Sequence, residues 1–121
     1  MFIETLLAMP TTLDKLADVA QLEFMGCVKL NRHEYANCKV NTYKFHLDSN
    51  VYYVSILMSY GTEVCGVIYT DTLENEWVYY TGFYSMTTRK HISWFLREYT
   101  TKLHSCTQLK KLKTGCIYPV N

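Results

Sequence analysis

Val51-Tyr52-Tyr53-Val54-Ser55-Ile56-Leu57-Met58-Ser59-Tyr60 is the stretch on which the reading of this chain turns. Successive side chains of a strand point to opposite faces, so Tyr52, Val54, Ile56, Met58 and Tyr60 share one face while Ser55 and Ser59 lie on the other. Such a density of β-branched and aromatic residues suits a strand with neighbours on both sides, and the spacing predicts a central one. The period of two begins near Val40, and its runs are separated by Asp48-Ser49-Asn50, by Gly61 and by Asp71 to Asn75, all turn-forming residues. Strands near Glu63 to Thr70 and Glu76 to Tyr80 are therefore expected to flank 51–60 in an antiparallel β-meander of about three to five strands.

Helical spacing appears on either side of this region. Thr11-Thr12-Leu13-Asp14 has the hydroxyls and carboxylate of a helix start, and Leu13, Leu16, Ala17 and Ala20 then make one apolar stripe that Met25-Gly26 is expected to end. Beyond Ser85, the residues Ile92, Phe95, Leu96, Tyr99 and Leu103 fall on one side of a helix over about 87–104. That stripe needs cover, and the apolar face of the preceding sheet is the nearest candidate. The expectation is one α+β domain over 1–121: an N-terminal helix within about 1–25, a sheet over about 27–84, and an amphipathic C-terminal helix packed on the sheet. A basic tail, 105–121, would be only partly ordered.

The 49% apolar and 15% aromatic content, with eleven tyrosines, excludes a disordered chain, and 121 residues bury roughly two-thirds of their unfolded surface around one core. A net charge of +1 gives no global field, but the charges are unevenly spread. Residues 1–85 carry ten acidic and five basic side chains; residues 86–121 carry Arg89, Lys90, Arg97, Lys102, Lys110, Lys111 and Lys113 against Glu98 alone. Cys27, Cys38, Cys65, Cys106 and Cys116 form an odd set without a Cys-x-x-Cys pair, which fits reduced thiols and a cytoplasmic setting. Glu4 stands where a signal peptide wants positive charge, and no apolar run approaches the ~20 residues that span a bilayer.

Enzyme signatures are missing. The sequence contains no phosphate loop, no dinucleotide-binding glycine turn and no serine nucleophile elbow, so no cofactor is expected. His33-Glu34 opens like a zinc protease motif, but Asn37 occupies the second ligand position. Cys27, His33, Cys38 and His46 match no zinc knuckle spacing, and buried core thiols account for Cys65 near His91, or Cys38 near His46, more simply than a catalytic pair does.

Tyr84-Ser85-Met86-Thr87-Thr88-Arg89-Lys90-His91 is where hydroxyls, cations and an imidazole gather at a strand-to-helix junction, whose free amides attract anions. Ordinary capping by Ser85 or Thr87 is the competing explanation. Trp94 lies off the apolar stripe beside Arg97, the composition of an interface anchor. The candidate binding residues are Tyr84, Ser85, Thr87, Thr88, Arg89, Lys90, His91, Trp94 and Arg97.

Ser59-Tyr60-Gly61-Thr62-Glu63-Val64, then Trp77-Val78-Tyr79-Tyr80, then the Tyr84 to Leu96 run as YS-x-TT-x-KH-x-x-x-FL, resemble a family of small phage and prophage proteins, over about residues 52–99. The resemblance implies a product made in the cytoplasm of an infected host, in a family without an assigned activity. By analogy with anti-CRISPR inhibitors, it suggests a non-enzymatic accessory protein that binds a host protein or ribonucleoprotein nuclease complex stoichiometrically. Two alternatives stand beside it: a small nucleic-acid-binding protein using Arg89, Lys90, Arg97 and Lys102 on phosphates with Trp94 or Tyr84 stacking, and a virion structural or assembly protein. No membrane partner is expected, and either a monomer or a homodimer through a strand edge fits a sheet of this size.

Overall fold

The computed structural model describes residues 18, 20–30, 36–47, 49–71, 75–82, 85–112 and 114–120. Six strands form one antiparallel sheet in chain order: β1 (Glu23–Leu30), β2 (Cys38–Leu47), β3 (Asn50–Ser59), β4 (Thr62–Tyr69), β5 (Glu76–Tyr80) and β6 (Ile117–Val120). Two helices, α1 (Met86–Tyr99) and the single turn α2 (Cys106–Leu109), lie between β5 and β6. Among the described residues no helix is long and apolar enough to cross a membrane.

This architecture corrects the expected one in four places. The expected N-terminal helix falls mostly outside the described residues, but its expected terminator, Met25-Gly26, sits inside β1, where a register shift between Phe24 and Gly26 makes Met25 the extra residue of a bulge. The sheet has six strands, not three to five. The described residues of the basic tail, 105–112 and 114–120, carry α2 and β6: Ile117 and Val120 are buried, the Gly115 amide donates to Tyr80 O at 2.6 Å, and β6 pairs with β5. Consequently α1 is not a C-terminal helix, and it ends at Tyr99 instead of near His104. The cause of that ending is Glu76, buried at the start of β5: its carboxylate accepts from Thr100 Oγ1 at 2.8 Å and from the Thr101 amide at 2.9 Å, turning the chain out of the helix.

The helix also covers the other face of the sheet. Leu57, Val67 and Val78 pack with Ile92, Phe95 and Leu96 of α1, on the side of β3 that carries Ser55 and Ser59. Tyr52, Val54, Ile56 and Met58 belong to a second cluster with Phe45, Ile68 and Tyr79. Both faces of β3 are thus packed, and its pairing with β2 on one edge and β4 on the other makes the strand central. Full burial of side chains such as Phe95, Ile92 or Ile56 is worth about 1.5–3 kcal/mol each. The serines on the helix-covered face are satisfied: Ser55 Oγ lies 2.9 Å from Thr42 Oγ1 and 3.1 Å from the Tyr69 hydroxyl.

Candidate functional site

Helix α1 begins because Ser85, in extended conformation, accepts the Thr88 amide at 3.1 Å on its Oγ. Thr88 itself is buried, and so is His91, one turn further on. Two polar side chains on the inward face of a helix need partners, and both find Ser59, the last residue of β3. Ser59 Oγ lies 3.0 Å from Thr88 Oγ1 and 2.8 Å from His91 Nδ1. Tyr60 and Gly61 make the two-residue turn into β4, both with positive φ (54° and 77°), the backbone of a tight hairpin. Its outcome is to set the Tyr60 ring 5.9 Å from the His91 ring.

Ser59 from one quoted run and Thr88 and His91 from the other therefore converge on one buried hydrogen-bonded cluster, with exposed Tyr60 and Ser85 at its rim. Ser85, Thr88 and His91, three of the candidate binding residues, cap the helix and fasten it to the β3–β4 turn. Thr87 is half-buried beside them, and Tyr84 lies outside the described residues.

The cations face the other way. Arg89, Lys90 and Arg97 line one open groove of about 320 Å³ together with Met86, Ser93, Ser105, Cys106 and Thr107. The groove exists because α2 is tied across α1: the Cys106 amide donates to Ser93 Oγ at 3.1 Å, and Gln108 Oε1 accepts from the His104 and Ser105 amides. Burial pushes the Cys106 thiol up, and nearby Arg89 and Lys110 offset part of that. No carboxylate forms an ion pair with Lys90 or Arg97 among the described residues, and the first turn of α1 contains no acidic side chain. Lys90 and Arg97 are exposed and present their charge on this surface.

Trp94 does not stand out from this surface. It is half-buried against the core, with its ring edge-on to Tyr99 at 6.2 Å, so it supports the helix more than it offers a free anchor. Sequence reasoning missed Ser93, Ser105 and Thr107, which meet the cations only because the tail folds back; nothing in the local sequence signals that return. Among the described residues no group of three or more His, Cys, Asp or Glu side chains is placed to hold a metal ion.

A model described as a family of unknown function (DUF8033) matches residues 20–111, from just before β1 to just after α2. No curated protein and no solved structure matches the chain.

Proposed function

We propose that this chain, which belongs to the DUF8033 family of unknown function, is a non-enzymatic binding protein that seats an acidic surface of a protein partner in the groove between α1 and α2. The observation that carries the reading is the convergence of Arg89, Lys90 and Arg97 on one groove in which no carboxylate pairs with Lys90 or Arg97 among the described residues. Exposed cations collected on one face raise the encounter rate with an acidic surface and select against basic ones. Ser93, Ser105 and Thr107 add hydroxyls that bond carboxylates directly or through water. The buried Ser59–Thr88–His91 cluster holds the helix rigid, so the cations are presented without an ordering cost at the backbone.

The resemblance of the YS-x-TT-x-KH-x-x-x-FL run to phage proteins supports a host defence factor as the partner, in the manner of an anti-CRISPR inhibitor acting on a nuclease complex by stoichiometric contact. The half-buried Trp94 favours this over a strand-stacking nucleic-acid reader, which needs a ring free to meet a base. The test is expression of the tagged chain in a bacterial host and identification of what co-purifies at moderate salt after nuclease treatment. A nuclease-resistant protein in fixed ratio supports the reading; nucleic acid alone, lost on treatment, overturns it.

A further inference from the structure

The two edges of the sheet are built differently. Edge strand β6 has four residues, one of them Pro119, which lacks an amide to offer a neighbour. The other edge, β1, has eight residues and no proline. Of the five large hydrophobic side chains exposed among the described residues, three stand on it: Phe24 at 56%, Met25 at 52% and Val28 at 49%. Among the described residues no strand pairs with the outer side of β1, which is long and apolar, whereas the outer side of β6 is short and interrupted by Pro119.

The outer side of β1 is also compatible with itself. The register shift between Phe24 and Gly26 places Phe24 opposite Tyr43, on the face of Phe45, while Val28 lies opposite Val40, on the face covered by α1. Without that shift, residues four apart would share a face. With it, an antiparallel pair of β1 strands related by a two-fold axis through Cys27 keeps every opposed pair on a common face. Val28 meets Met25-Gly26 of the second copy, Lys29 meets Phe24, and Leu30 meets Glu23. Apolar side chains are covered on both faces, Lys29 gains an aromatic ring, and no like charges are opposed.

We infer that this chain forms a homodimer through antiparallel pairing of β1 with β1 of a second copy, extending the sheet to two times six strands with Cys27 on the two-fold axis. The axis runs along the sheet normal, so both α1 helices lie on one side and the two cationic grooves face the same way. A partner with repeated acidic surfaces then meets two sites at once, and affinity gains from the linkage without new contacts.

Sedimentation of the full chain over a dilution series tests this. The expected result is a dimer that dissociates on dilution, and a Met25→Lys/Val28→Lys variant that sediments as a monomer with an unchanged circular dichroism spectrum. Should that variant fail to fold, a short bis-maleimide on the unmodified chain gives the answer: a covalent dimer that Cys27→Ser abolishes is expected. A monomer at every concentration overturns the inference, as does a dimer whose cross-link survives Cys27→Ser. The readout is independent of the groove, so it separates from any failure of the proposed binding function.

Discussion

Ser59 Oγ lies 2.8 Å from Nδ1 of His91, and this contact joins the turn at the end of β3 to the second turn of α1 across 32 residues of chain. Both groups are buried, and Thr88 shares the same serine oxygen. Removing that oxygen takes one hydrogen-bond partner from the His91 imidazole and one from the Thr88 hydroxyl, which keeps Ser85, in an apolar layer. Ser59→Ala is expected to cost about 1–3 kcal/mol, read as a lower urea midpoint at unchanged slope. A loss confined to partner binding, with unchanged stability, would mean that the cluster acts at the surface instead.

Gly66 sits opposite Tyr79 in the β4–β5 ladder, and a Cβ at Gly66 would fall among the ring atoms of Tyr79. The ring is fully buried, and its hydroxyl donates to Glu63 at 2.6 Å, so it has nowhere to move without breaking that bond. Gly66→Ala is expected to destabilise by about 1–3 kcal/mol despite the usual gain of Ala over Gly in chain entropy. Thermal unfolding of the purified variant checks the sign.

Glu76 anchors the end of α1 by accepting from Thr100 and Thr101. Glu76→Leu strands those donors and is expected to cost about 1.5–3 kcal/mol. Amide exchange is expected to speed up around 99–103 while β2 and β3 stay protected. Equal loss of protection everywhere would show that Glu76 contributes to global stability alone.

Burial raises the Cys38 thiol to about 11 and pushes Cys65 well above the ordinary thiol value of 9.0. The folded chain keeps these protons more tightly than the unfolded chain, so stability is full below pH 9.0 and falls as pH rises toward 11. Denaturation midpoints across that window should decline. A disulfide reagent near neutral pH should modify exposed Cys27 quickly and leave buried Cys38 and Cys65 intact.

Some of this was legible in the sequence and some was not, for physical reasons. The alternation of 51–60 does reflect a strand with neighbours on both sides, β2 and β4. Which face α1 covers could not be read, because apolar content alone favours the Tyr52–Val54–Ile56 side. The helix carries Thr88 and His91 inward, and their need for a hydrogen-bonding partner matches the serine side; that is a pairwise condition that no single-strand pattern displays. The Met25-Gly26 pair looks like a helix terminator because a glycine in a bulge and a glycine after a helix have the same local signature. Strand β6 was hidden because four residues with a proline, after a run of lysines, give too short a period to detect. The cations of the groove were visible as residue types, whereas their collection with Ser93, Ser105 and Thr107 depended on that unseen return of the tail.

The most direct measurement is side-by-side co-purification from a bacterial host of the tagged wild-type chain and a Lys90→Glu/Arg97→Glu variant, nuclease-treated at moderate salt. Both side chains are exposed and outside the buried cluster, so the variant should fold and match the wild type by circular dichroism. The expected result is a host protein retained in fixed ratio by the wild type and lost by the variant. Retention of the same protein by both, or capture of nucleic acid alone, would contradict a groove that seats an acidic protein surface.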